Sequence, residues 1–198
     1  MHNVRFLLSS IVLAWSVGAS AQVGQPKLTV TDMQVFCQGL DPFVTLTFPV
    51  NAQDQARPGI LYVGMHDPSM SQAAFLTTSS WVGYSGGLFP AYSVASAQLG
   101  RPRLTLALPQ NLAGGGWKLY VGYGALSVQS ESRVQQAADA IAAAKAISPK
   151  PVIGAVDPDH YRRTLVQTDM TQAGKFAYVE TGVENNPFVC RPETGGGG

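Results

Sequence analysis

Residues 43–48 have the sequence FVTLTF, in which polar and apolar side chains alternate from Val44 onward. Because successive side chains of a β-strand point to opposite faces, Val44, Leu46 and Phe48 share one face, and the two threonines between them take the other. The same alternation returns in residues 104–108, LTLAL. Each pattern predicts a strand with one face packed on a core and the other in contact with water.

Similar short segments occur along most of the chain, separated by turns that contain Gly or Pro, such as residues 57–59 and 114–116. They comprise residues 28–36, 60–65, 74–78, 82–84, 117–123 and 175–181. Since no helices alternate with these strands, we expect a mainly β fold, either an antiparallel β-sandwich or an open barrel, rather than a parallel sheet.

One segment departs from this pattern. Residues 130–147 are rich in Ala, and their larger apolar residues, Val134 and Ile141, recur at helical spacing. They predict a single Ala-rich helix, with Ser130 as its N-cap and the Ser148-Pro149 pair as its end.

The composition excludes two classes of partner. The chain has 198 residues, of which 45% are hydrophobic and only 13% charged, about half of the ~25% that is typical. Its 13 basic and 12 acidic residues nearly cancel. The chain therefore lacks the positive surface that holds nucleic acid or an anionic membrane.

Residues 1–21 predict a cleaved secretory signal peptide. Arg5 precedes the apolar residues 6–17, and small residues end the segment. This apolar run is shorter than the ~20 residues that a membrane span needs, so we expect no stable membrane insertion after cleavage. A secreted, periplasmic or cell-surface location follows, with a single β-rich domain over residues 22–193 and a flexible Gly tail over residues 194–198.

The two cysteines, Cys37 and Cys190, are consistent with export. An even number of cysteines in an exported protein predicts a disulfide bond, and the alternative is two free thiols. Their wide separation excludes a redox CxxC pair and a zinc site. We expect them to have a structural role.

Residues that could support catalysis are few. The chain contains no nucleophile motif, P-loop or dinucleotide fingerprint. Asp157, Asp159 and His160 are weak candidates for a divalent metal site if Asp169 folds over them. The alternative is an Asp-Pro turn that leads into a new structural element. We expect no cofactor.

Aromatic residues interspersed with glycines are more informative. The candidate binding surface consists of Trp81, Tyr84, Tyr92, Trp117 and Tyr123. Rigid amphipathic rings on a small-residue framework suit a surface that binds a protein or a glycan. The alternative is that the same rings are core and corner packing of a β-sandwich.

The tetrapeptide LYVG occurs twice, at residues 61–64 and 119–122. The two copies predict equivalent strands of two half-repeats, in which the final glycine permits a bulge or a close backbone approach. A chance match between two ordinary strands is the alternative.

Residues 81–92, WVGYSGGLFPAY, and residues 116–124, GWKLYVGYG, resemble a little-characterised β-rich domain family in exported proteins of Gram-negative proteobacteria. The resemblance covers residues 58–128. It implies a secreted or surface module, sometimes within cell-surface or pilus-associated proteins, and it supplies no catalytic residues.

Three hypotheses for the function follow. The first is an exported, non-enzymatic binding or assembly module that acts through the aromatic and glycine-rich β surface and is capable of self-association. The second is a periplasmic hydrolase or metal-dependent enzyme that uses Asp157, Asp159 and His160. The third is a subunit of an extracellular filament, in which exposed strand edges pair between copies.

Overall fold

The alternating residues 43–48 belong to the central strand of a small antiparallel sheet in the computed structural model. The structure describes residues 24–94, 97–109, 115–147, 157–183 and 190–191. Its strands are β1 (Thr31–Gln38), β2 (Asp41–Thr47), β3 (Pro58–His66), β4 (Ala73–Leu76), β5 (Trp81–Tyr84), β6 (Ala97–Gln98), β7 (Arg103–Ala107), β8 (Lys118–Ala125) and β9 (Phe176–Val179). Its helices are α1 (Val128–Ile147) and α2 (Pro158–Ala173), with a short 3-10 helix at Ala52–Asp54.

The small sheet has the strand order β1-β2-β7. Val44 pairs with Leu106, and Leu46 pairs with Leu104, so that the apolar residues of both strands share one face. Val44, Leu46, Phe48 and Leu106 are completely buried. The alternation in β2 and β7 therefore predicted the apolar face correctly. The other face of β2 is less open to water than predicted, because Thr45 is buried and its hydroxyl lies 3.2 Å from that of Thr105.

The large sheet has the order β5-β4-β3-β8-β9, and the two-residue strand β6 also pairs with β3. Its inner face carries Val63, Leu119, Val121 and Tyr123, which form one hydrophobic core with the buried face of the small sheet. Two antiparallel sheets enclose this core, and the predicted mainly β, sandwich-like architecture is confirmed.

The two LYVG tetrapeptides lie beside each other at the centre of the large sheet. Strands β3 and β8 pair antiparallel around Val63 and Val121. Tyr62 is thereby opposite Gly122, and Gly64 is opposite Tyr120. Directly opposed residues of an antiparallel pair point to the same face. These two tyrosines and two glycines therefore share the outer face of the large sheet.

Helix α2 covers part of that outer face, and it corrects the prediction of a single helix. The Asp157 side chain caps the helix by accepting from the Asp159 N–H, Pro158 occupies the first turn, and Gly174 ends the helix with φ 69°. Val166 and Met170 are its buried residues. A Cβ at Gly124 would lie 1.9 Å from the Val166 carbonyl oxygen, so only glycine allows the helix backbone to approach this closely.

The predicted Ala-rich helix is present as α1, which packs against α2. It begins at Val128, where the Ser127 hydroxyl accepts from the Ser130 N–H at 3.0 Å. The prediction that Ser130 is the N-cap is therefore wrong, because Ser130 lies within the first turn. Val134 is the buried residue of this helix. The predicted end at residues 148–149 lies outside the described residues.

The predicted disulfide bond joins Cys37 of β1 to Cys190, across a sequence separation of 153 residues. Within the described ranges, no helix is long and apolar enough to cross a membrane. The predicted signal peptide and the predicted Gly tail both lie outside the described residues.

Candidate ligand-binding groove

The outer face of the large sheet is open beyond the C-terminal end of α2. The helix runs over Gly124 and Gly122 of β8 and ends at Ala173. A groove continues from that point along the sheet, with Gly64 and Gly122 among the residues that line it. The helix end therefore divides the outer face into a covered half and an open half.

Two glycines allow neighbouring apolar groups of the groove to lie close against the sheet. A Cβ at Gly64 would lie 2.9 Å from Cε1 of Phe75, and a Cβ at Gly122 would lie 2.8 Å from Sδ of Met170. Any side chain at these positions would project into the space that the neighbouring apolar groups occupy. The repeated tetrapeptide creates this space by placing a glycine opposite each tyrosine.

The walls of the groove are aromatic. Phe75 and Phe89 stack with their ring centroids 4.7 Å apart, and the rings of Tyr84 and Tyr62 meet Phe89 edge to face at 5.2 Å and 6.0 Å. Phe176 of β9 lines the groove as well. The groove has a volume of about 270 Å³, and no charged or carboxamide side chain lines it. A mostly apolar and aromatic lining is typical of small-molecule sites.

His66 and Tyr120 provide a polar feature in this apolar lining. The two rings stack with their centroids 5.2 Å apart, and His66 Nε2 lies 3.1 Å from Tyr120 Oη. His66 Nδ1 lies 2.6 Å from the Asp67 carbonyl oxygen. Burial raises the pKa of Tyr120, so its hydroxyl keeps its proton at neutral pH.

The loop after β3 forms one rim of the groove. The Asp67 carboxylate accepts hydrogen bonds from the Ser69 hydroxyl, from the Gln72 N–H at 2.8 Å and from the Ser71 hydroxyl at 3.0 Å. These bonds, that of Ser69 first, lower the pKa of Asp67 to about 2. Met70 lies in this loop, lines the groove and is 76% exposed.

The structure separates the five residues of the predicted binding surface. Trp81, Tyr92 and Trp117 are half-buried and pack against the core between the sheets. The Trp81 Nε1–H also donates to the Ala107 carbonyl at 3.1 Å. Tyr84 lines the groove, whereas Tyr123 is completely buried in the core. The five rings therefore do not form one surface, and Tyr123 is excluded from any surface.

Tyr123 belongs instead to a buried charge cluster. Its hydroxyl donates to Asp54 Oδ2 at 3.0 Å and accepts from the Asn51 N–H at 3.0 Å. Lys175 Nζ lies 2.8 Å from Asp54 Oδ2 and 2.7 Å from Asp169 Oδ2. Burial alone would lower the pKa of Lys175, but its hydrogen bonds to Asp169 and Asp54 raise the pKa above its usual value. The cluster ties the 3-10 helix, α2 and β9 together.

The predicted metal site is not assembled. Asp157 is the N-cap of α2. The structure therefore supports the alternative, in which the Asp-Pro turn leads into a new element. Asp169, the proposed closing ligand, is held by Lys175 and by the Ala125 N–H at 2.9 Å. In the part of the chain that the structure describes, no three His, Cys, Asp or Glu residues come together as a metal site.

Comparisons of the chain with known protein families, with curated proteins and with solved structures give no match. The resemblance of residues 58–128 to an exported bacterial family therefore stays a prediction, and the groove has to be interpreted from its own chemistry.

Most of the groove was missed from the sequence. Phe75, Phe89, Tyr120 and Phe176 come from four separate segments. Strand pairing brings Phe75, Tyr120 and Phe176 together, and hydrogen bonds of its backbone to Gln167 and Arg163 of α2 hold Phe89. The one available signal was the repeated LYVG tetrapeptide, because it places a tyrosine and a glycine on the same face of each central strand.

Proposed function

We propose that this protein is an exported, non-enzymatic binding module whose groove takes up an apolar ring of a small ligand. The observation that carries the proposal is the lining: aromatic walls around a floor that contains two glycines, without a charged or carboxamide side chain. Binding of a ring between such walls is favourable because it removes apolar surface from water. The same walls provide no charged partner for a charged ligand.

The same lining argues against a glycan as the occupant. Sugars need several hydrogen bonds to polar side chains besides stacking on a ring, and an unpaired polar group in an apolar site costs free energy. A volume of about 270 Å³ lies near the lower limit for small-molecule sites, so it suits a ligand of one or two fused rings.

An oxidising compartment fits this proposal. The disulfide between Cys37 and Cys190 favours a location outside the cytoplasm, because cytosolic thiols are usually kept reduced. Together with the predicted signal peptide in residues 1–21, it supports a protein that binds its ligand in the periplasm, in the medium or at the cell surface.

The methionine methyl groups provide a direct test. Met70 and Met170 line the groove, whereas Met65 points into the core between the sheets and Met33 lies on β1 of the small sheet. In a methyl NMR titration with naphthalene, we expect saturable shifts of the two groove methionines and none of Met33. Absence of saturable shifts at the solubility limit of naphthalene, or an equal response of Met33, would contradict the proposal.

A second candidate function, the subunit of an extracellular filament, is favoured by strand β1. This strand is an edge of the small sheet, and among the described residues no strand pairs with its outer side. Met33 and Phe36 are each 39% exposed on it, and Leu40 beside it is 58% exposed. Exposed edges with apolar side chains pair readily with another copy.

Sedimentation velocity at increasing concentration tests this second candidate. We expect reversible association in the unmodified protein and a monomer in the variant Phe36→Lys, because a charge opposes edge pairing. Gln34→Lys is the control on the same strand. It adds the same charge without removing an apolar side chain, so it separates the effect of charge from that of the lost apolar contact. A monomer at every concentration would rule this candidate out.

A further inference from the structure

The hydroxyl groups of Tyr84 and Thr171, which line the groove, already use their protons. The Tyr84 hydroxyl donates to the Gly87 carbonyl at 2.9 Å, and the Thr171 hydroxyl donates to the Gln167 carbonyl at 3.0 Å. A hydroxyl has a single proton to donate and two lone pairs to accept with. Both groups therefore face a ligand as acceptors.

The position of the proton on the His66 ring determines the direction of the hydrogen bond between His66 and Tyr120. A carbonyl oxygen can only accept, so the 2.6 Å contact with the Asp67 carbonyl requires the proton on Nδ1 of His66. In the neutral ring, Nε2 is then a bare acceptor. Tyr120 Oη, 3.1 Å away, must donate its proton to this nitrogen. The Tyr120 oxygen is left with lone pairs and no free proton.

Tyr120 differs from Tyr84 in its access to water. The bond between Tyr84 and Gly87 is at the exposed surface, where water satisfies the remaining lone pairs. The bond between Tyr120 and His66 is partly buried, beside the open half of the groove. A ligand that displaces water from this place must itself satisfy the Tyr120 oxygen or leave it unpaired.

We infer that the groove selects rings that carry an N–H or O–H donor, which the Tyr120 oxygen accepts, over rings of the same shape without a donor. This inference rests on the proposed function and adds the chemical class of its ligand: an indole, a phenol or an aniline rather than an ether, a ketone or a plain hydrocarbon. Sites that hydrogen-bond a ligand discriminate strongly against analogues that lack the group.

Indole and benzofuran test the inference, because they have nearly the same shape and only indole has an N–H. Titrations with each compound, followed by the methyl signals of Met70 and Met170, give the two dissociation constants. We expect indole to bind about fivefold more tightly, the effect of one ordinary hydrogen bond. In the double variant His66→Phe/Tyr120→Phe, which removes the oxygen without leaving Nε2 of His66 as a free acceptor, the two compounds should bind equally.

Tyr178→Phe is the matched control. Tyr178 is paired with Tyr120 on the neighbouring strand β9, but it does not line the groove. This variant should keep the fivefold preference. Thermal unfolding of both variants checks that they fold as the unmodified protein does.

The possible outcomes separate the two proposals. Equal binding of indole and benzofuran by the unmodified protein, or a preference that persists in the double variant, overturns the inference and leaves the groove as a binding site. Failure of both compounds to bind overturns the inference and the proposed function together. A preference that disappears in the double variant and persists in Tyr178→Phe supports both.

Discussion

Tyr62 and Tyr120 occupy the same position in two identical tetrapeptides, yet they have different surroundings. Both lie on the outer face of the large sheet, each opposite a glycine of the other strand. Tyr62 is only 3% exposed and belongs to the core beneath α2, with Val166 and Met170. Tyr120 is half-buried beside His66 in the open groove. The local sequence therefore determines on which face of the sheet each tyrosine lies. Whether α2 covers that position determines whether the tyrosine belongs to the core or lines the open groove.

The end of α2 creates this difference. Gly174 adopts the left-handed conformation and its N–H bonds to the Met170 carbonyl, which stops the helix. Lys175 then turns into the buried charge cluster, and the chain continues as β9. One further helical turn would extend by about 5.4 Å along the axis. The position of the C-cap therefore limits how much of the face remains open.

Replacing each of the two tyrosines by alanine should give the largest difference in stability between the covered and the open half. We expect Tyr62→Ala to lower the free energy of unfolding by about 3–5 kcal/mol, because it empties a buried site. Tyr120→Ala should cost about 1 kcal/mol, because that ring is still partly in water. Urea denaturation of both variants measures the difference. Equal losses would mean that the covered and open halves do not differ in packing.

Lys175→Met tests the cluster that anchors the covered half. Removal of the lysine leaves the carboxylates of Asp54 and Asp169 close together, with Asp54 buried. We expect a loss of about 3 kcal/mol in the free energy of unfolding. Lys145→Met, at an exposed position of α1, is the matched control and should be close to neutral. A neutral Lys175→Met would show that the cluster contributes nothing to stability.

The two glycines of the repeat should respond unequally to alanine. At Gly122 the new Cβ would lie 3.0 Å from the Lys175 carbonyl oxygen and 2.9 Å from Cβ of Phe176, neither of which moves easily. At Gly64 it would meet only the Phe75 ring, which can turn aside. We expect Gly122→Ala to cost about 1–2 kcal/mol and Gly64→Ala less than about 0.5 kcal/mol, since alanine recovers some backbone entropy. Calorimetry that ranks them in the reverse order would contradict this account.

The smallest expected effect concerns pH and the rim of the open half. The pKa of Asp67 is lowered from about 3.8 to about 2 by the hydrogen bonds of Ser69, Gln72 and Ser71. A lowered carboxyl pKa stabilises the folded loop above pH 3.8, and this contribution is lost as the pH falls through about 2. The Met70 methyl signal should therefore keep its position down to pH 4 and shift below it. In Asp67→Asn that shift should be absent, and its persistence would assign the change to another group.

Much of the fold could be predicted, because its signals are local. The alternation of Val44, Leu46 and Phe48 predicted a buried face, and each of the predicted strand segments overlaps a strand of the structure. Helix α2 was missed because its polar composition hides the apolar positions Val166 and Met170. Its signals were nevertheless present: Asp157 before Pro158 at the start and Gly174 after the end.

The groove could not be predicted in the same way, because it depends on register. Tyr62 and Gly122 are far apart in sequence, and a shift of one residue between β3 and β8 would place Tyr120 on the inner face. Composition showed many rings and glycines, but it did not show that Phe75 and Phe176 belong with Tyr84, or that Tyr123 belongs to the core.

The bond between Cys37 and Cys190 also governs how the chain would respond to force. A pull applied at the two ends of the described chain passes through the covalent bridge, so the 153-residue span it encloses is shielded from the load. Only the part of β1 before Cys37 can be peeled from β2. Under tension the sandwich and its groove should therefore keep their shape.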